Sequence, residues 1–160
     1  MWVYVFYIIW LMSLAYVDYK TGYVYNRMSV AGIIPACICI VRLMTDYRDN
    51  ICAAFGCILV MILLARLAGH FNLAGGGDSD VLVITSVVNT VYLIENGITS
   101  TVALLLYNLI LLYFSILLFI LRHIKHVNWR RMKMDRGYPL LPSIYMSTVI
   151  SGIIIQLLYN

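Results

Sequence analysis

Residues 1–17 read MWVYVFYIIWLMSLAYV, and every one except Ser13 is apolar. A helix rises about 1.5 Å per residue and the hydrocarbon core of a bilayer is about 30 Å thick, so a run of this length nearly crosses a membrane. Asp18 ends the run and Lys20 follows. A secretory signal peptide would begin with basic residues and close on a small-residue cleavage site. No Lys or Arg precedes position 20 and no A-x-A pattern follows, so the run reads as a retained membrane helix.

The pattern recurs outward from there. Apolar stretches at 28–44, 51–68, 81–94, 98–121 and 140–159 join 1–17 to predict an all-α, polytopic membrane protein with six transmembrane helices. The stretch at 81–94 is the weakest: it is short and contains Asn89. It calls for an extension into the polar residues before it, or for that loop to dip into the membrane. Pro35 predicts a kink in the second helix, and Pro142 marks the start of the sixth. Composition agrees with this reading. The 160 residues are 63% hydrophobic and 11% charged, with mean hydropathy +0.92. Soluble domains average about 45–50% apolar and about 25% charged. The length suits a single domain, 1–160, without repeats or low-complexity segments.

Charge placement predicts orientation. Lys20, Arg27, Arg66, Arg122, Lys125, Arg130, Arg131, Lys133 and Arg136 fall on one side of the predicted spans, nine in all, and only Arg42 and Arg48 fall on the other. The basic side is expected to be cytoplasmic, which puts both termini outside. The same rule accounts for the net charge of +4 and for the basic run 122–136 without nucleic acid. Anionic lipid headgroups are the expected partners of that charge.

Cys37, Cys39, Cys52 and Cys57 form no C-x-x-C and have no histidine at zinc spacing, so they read as apolar packing residues, and no metal site is expected. His123 and His126 belong to the basic loop. His70 precedes the glycine run and is a weak candidate for tuning a site beside it.

Acidic residues are scarce, which makes each informative. Asp46, Asp49, Glu95 and Asp135 fall in loops, where a solvated charge needs no explanation. Asp18 closes the first apolar run, and Asp78 follows Gly75-Gly76-Gly77 and precedes the fourth. Both are expected at the cytoplasmic edge of the membrane, where an ionised carboxylate is costly to desolvate and marks function. Three glycines free the backbone to turn or to lie close against an extended peptide. The phosphate-loop pattern G-x-x-x-x-G-K-[ST] is absent. Two carboxylates brought together share one proton, since like charges a few ångströms apart resist ionising together. One then activates water and the other protonates a carbonyl oxygen. That is aspartic peptidase chemistry, and it needs no metal or cofactor.

The stretch Asp18-Tyr19-Lys20-Thr21-Gly22-Tyr23-Val24-Tyr25-Asn26-Arg27 resembles the first catalytic segment of the type IV prepilin peptidases, the GxGD-type intramembrane aspartic peptidases. There an Asp is followed by a basic residue two positions on and by an I-P-N ending. Lys20 and Asn26 match, Val24 replaces Ile, and Tyr25 stands where proline is usual. Gly75-Gly76-Gly77-Asp78 is similar to the G-x-G-D that carries the second catalytic Asp, and Tyr138-Pro139-Leu140-Leu141-Pro142 resembles the proline-rich entry to the last helix. The resemblance implies catalytic Asp18 and Asp78, with Gly75, Gly76, Gly77, Asp80, Lys20 and Asn26 shaping the site or binding substrate. It further implies a multi-pass protein of a prokaryotic cytoplasmic membrane, acting in type IV pilus biogenesis and protein secretion. The implied substrate is a prepilin or pilin-like protein whose basic leader ends in glycine. Two features depart from the pattern. Asp80 stands where Lys is common, and the paired C-x-x-C loop associated with N-methylation is missing, as in a short, peptidase-only form. A proton-coupled transporter using Asp18 and Asp78, and a non-catalytic membrane scaffold, are the competing expectations. The former usually shows inverted repeats, which are not visible here.

Overall fold

The computed structural model describes residues 2–21, 26–70, 76–123 and 140–159. They form α1 (Trp2–Thr21), α2 (Asn26–Ala31), α3 (Ile33–Asp46), α4 (Ile51–His70), α5 (Gly76–Glu95), α6 (Thr101–His123) and α7 (Leu141–Tyr159), with a single 3₁₀ turn at Arg48–Asn50. No strand occurs among the described residues. Five helical segments are long and apolar enough to cross a membrane: Trp2–Thr21, Met28–Asp46, Arg48–His70, Gly77–Glu95 and Thr101–Leu121. The sixth expected segment forms α7, whose apolar stretch Leu141–Leu157 is shorter than these five.

The weak stretch at 81–94 is part of a 20-residue helix that reaches back to Gly76. Its polarity has a physical cause. In the span Gly77–Glu95, 78% of an 18-residue stretch is buried inside the protein, against 22–33% for the other four. The outer helices carry the exposed Phe6, Ile34, Phe55, Leu106 and Ile153, apolar side chains suited to contact with lipid. Surrounded by protein, α5 can carry Ser79, Thr85, Ser86, Asn89 and Thr90, all buried. Several of these find partners within the bundle. Asn108 on α6 donates to Thr90 Oγ1 at 3.2 Å and to its own Leu104 carbonyl at 2.9 Å, and Cys57 on α4 lies 3.7 Å from Thr90. Cys37, Cys39, Cys52 and Cys57 are all free thiols.

The second span is interrupted at Gly32, three residues before Pro35. Pro35 has no N–H for the Ala31 carbonyl, and its ring crowds that preceding turn, so the disruption falls on the N-terminal side of the proline. Gly32 N–H donates to Ser29 O at 3.0 Å instead of to Met28 O. The Met28 carbonyl released in this way accepts the Trp10 indole N–H at 2.9 Å. The Trp10 ring fills the space beside Gly32, where an added Cβ would overlap it.

The last helix packs through small residues, as membrane helices do where backbones approach closely. Ser143, Ser147 and Ser151 recur at every fourth position of α7. The Ser115 and Ser147 hydroxyls lie 2.6 Å apart across α6 and α7. Toward α1, Tyr4 OH donates to Thr148 O at 3.3 Å and leaves no room for a side chain at Gly152. At the opposite end from Asp18, Arg42 on α3 pairs with Glu95 at the close of α5, N to O 2.6 Å.

Candidate active site

Asp18 and Asp78 are brought to one end of the bundle by the antiparallel packing of α1 on α5. The Tyr4 ring stacks on the Tyr92 ring with centroids 4.0 Å apart, and Tyr7 OH donates to Thr85 Oγ1 at 2.8 Å. Fourteen residues separate Tyr4 from Asp18, and fourteen separate Asp78 from Tyr92. Fourteen residues are nearly four helical turns, about 21 Å, so each aspartate returns to the face and level set by its tyrosine. The intervening residues keep to the same stripes, Tyr7, Leu11 and Leu14 on α1 and Val81, Thr85 and Val88 on α5. Leu11, Leu14, Val81 and Val88 are buried almost completely. The two carboxylate positions therefore lie on facing stripes at the same level, to within about one turn.

Asp18 is 4% exposed. Its Oδ2 accepts the backbone N–H of Leu141, the first residue of α7, at 3.1 Å. The first N–H groups of a helix lack partners inside the helix, and a carboxylate both satisfies one and complements the positive end of the helix dipole. Pro142, next in sequence, brings no N–H of its own to this turn. Asp78 is half-buried in the first turn of α5, also a helix N-terminus. Each carboxylate thus sits where a helix begins.

The other candidates divide. Gly76 and Gly77 belong to the first turn of α5 and are helical rather than an open turn, and Gly75 lies outside the described residues. Asp80, two residues beyond Asp78 on the same helix, is exposed. Lys20 is exposed on the side of α1 turned away from Asp18, its ammonium 5.8 Å from the centre of the Tyr16 ring. Asn26 opens α2, with its side chain outside the described part. His70 ends α4 and is exposed. Among the described residues no group of His, Cys, Asp or Glu is arranged to hold a metal ion.

Sequence reasoning missed two features. The contact from Leu141 to Asp18 joins residues 123 positions apart and leaves no local signal. The matched stripes were legible, because steps of three and four run from Asp18 back to Tyr4 and from Asp78 on to Tyr92. No protein-family model, curated protein or solved structure matches the chain.

Proposed function

We propose that the chain is a membrane-embedded aspartic endopeptidase that cleaves the leader of a type IV prepilin or pilin-like protein at the cytoplasmic membrane face. The observation that supports the reading is that Asp18 and Asp78 fall on facing stripes of α1 and α5 at levels within about one turn of each other. In this reading one carboxylate takes a proton from water, and the oxygen attacks the scissile carbonyl carbon. The protonated partner gives its proton to the carbonyl oxygen. The tetrahedral intermediate then collapses, the C–N bond breaks, and the leaving nitrogen takes up a proton. The Leu141 N–H holds the Asp18 carboxylate in position for that exchange.

In the proposed topology α7 is the sixth span, since its 19 residues measure about 28 Å. The cytoplasmic side is the one with Lys20, Arg66 and Arg122, and both termini are outside. Exposed Asp80 attracts the basic leader. The buried polar side chains of α5 favour a second reading, a proton-coupled transporter using the same two aspartates. Incubating the purified protein in detergent with a type IV prepilin separates the two. The peptidase reading expects a product shortened after the leader glycine, and an intact prepilin would leave the transporter in front.

A further inference from the structure

We propose that the hydroxyls of Ser29 on α2 and Ser79 on α5 are positioning groups that hold the main chain of the substrate beside the two carboxylates. The inference rests on the peptidase reading and deepens it. Its starting point is an anomaly in how this protein treats its hydroxyls. Within its helices a serine or threonine ordinarily donates to the carbonyl three or four residues earlier. Ser13 does so to Ile9, Thr85 to Val81, Ser115 to Leu111 and Thr148 to Ile144, at 2.7–2.9 Å. Ser29 and Ser79 do not. They are 7% and 6% exposed, and neither hydroxyl has a hydrogen-bond partner among the described residues. A buried hydroxyl without a partner costs about 1–3 kcal/mol, and the membrane interior has little water to relieve it. Such groups are rare in native proteins and call for a reason.

Their location supplies one. Ser79 directly follows Asp78 in the first turn of α5. The residue facing it from α4 is Gly69, where an added Cβ would lie 3.1 Å from the Ser79 oxygen. The α4 backbone thus comes close to the Ser79 side chain at a residue that has no side chain of its own. Ser29 is on α2, which packs against α1 and α5 and begins at the end of the bundle where α1 finishes. Ser79 therefore belongs to the helix that carries Asp78, and Ser29 to a helix packed against both carboxylate-bearing helices. The other two buried polar atoms without a partner among the described residues, Asn89 Nδ2 and Tyr107 OH, lie farther along α5 and on α6.

Peptide-bond cleavage needs the substrate backbone pulled out of its helix, which frees N–H and C=O groups in a place poor in water. Each serine hydroxyl offers one donor and two acceptor lone pairs. Two such groups suit an unwound peptide better than a helical one, because only the former presents unpaired backbone groups. Neither serine takes part in the proton exchange, so their effect falls on substrate binding.

The test is steady-state cleavage of a purified type IV prepilin in detergent by the wild-type protein, Ser29→Ala and Ser79→Ala, with thermal unfolding of each. Removing an unpartnered buried hydroxyl should leave the unfolding midpoint unchanged or raise it. In both variants KM should rise about three- to tenfold, the loss expected for one hydrogen bond, while kcat stays within about twofold. A merely structural serine would give a lower midpoint with KM intact, and that result would overturn the proposal. Unchanged KM in both stable variants overturns it as well, with the peptidase reading standing. A wild-type protein that leaves the prepilin whole overturns both together.

Discussion

Tyr4 and Tyr92 stack with their ring planes 14° apart, and Asp18 and Asp78, each fourteen residues along its helix from one of these rings, lie at levels within about one turn of each other. The consequence is measurable without any assay of activity. With Cys37, Cys39, Cys52 and Cys57 replaced by Ser, the pair Asp18→Cys and Asp78→Cys should be joined by a short thiol-reactive bis-maleimide. The pair Asp18→Cys and Val88→Cys should not, because ten residues displace position 88 by about 15 Å along α5. Cross-linking of the second pair in preference to the first would show the register to be wrong.

Gly32 has a structural part to play. The freed Met28 carbonyl and the Trp10 indole form one unit with it, and a methyl group at position 32 would overlap the Trp10 ring. Gly32→Ala should lower stability by about 1–3 kcal/mol through overpacking. Thermal unfolding in detergent reads this directly, and Trp10→Phe, which removes the indole donor and shrinks the ring, should recover part of the loss in the double variant.

The all-α class and five helices of membrane-spanning length were legible from apolar run length, because lipid dictates the composition of every helix that touches it. The same logic fails for α5, whose neighbours are protein. Thr85, Ser86, Asn89 and Thr90 dilute its hydropathy where packing and hydrogen bonds replace lipid contact, so its first five residues read as loop. The break at Gly32 was displaced from its cause, Pro35, by three residues, since the proline disrupts the turn before it. Asp18 and Asp78 stood out by their scarcity. Leu141 did not, because a backbone N–H belongs to every residue but proline and only the fold aims one at a carboxylate.

The charge asymmetry gives the proposed topology its own test. Only Arg42 and Arg48 fall on the sparser side, against nine basic residues on the other. A reporter active only outside the cytoplasm, fused after Asn160, should therefore be active. Activity of a cytoplasmic reporter at that position would put both aspartates on the outer face and remove the expected route to a cytoplasmic leader.

Asp80 is exposed and two residues from Asp78, so α5 turns the two carboxylates to different faces. Asp80→Asn should raise KM for a prepilin with a basic leader by about two- to fivefold at low salt, with kcat nearly unchanged, as expected for the loss of one exposed attractive charge. The effect should shrink as salt is added. Abolished turnover in a correctly folded Asp80→Asn protein would make it part of the chemistry instead.

Asp18 has two separable duties, and substitution can divide them. As acceptor for the Leu141 N–H, its carboxylate is replaceable by an amide, whose carbonyl oxygen accepts the same bond. Asp18→Asn should therefore fold with a midpoint near that of the wild-type protein. Asp18→Ala leaves the N–H buried and unpaired and should lose about 1–3 kcal/mol. As half of a proton-sharing pair, however, the carboxylate is irreplaceable. An amide neither takes a proton from water nor gives one to a carbonyl oxygen at neutral pH. Asp18→Asn and Asp78→Asn should each abolish prepilin cleavage, and the double variant should be no worse than either single one, since residues acting as a unit are lost together. The measurements are processing of a prepilin by each variant and its thermal unfolding. Retained cleavage in a stable Asp18→Asn or Asp78→Asn protein would reduce that aspartate to the helix-end role its position already explains, and the dyad would fall with it.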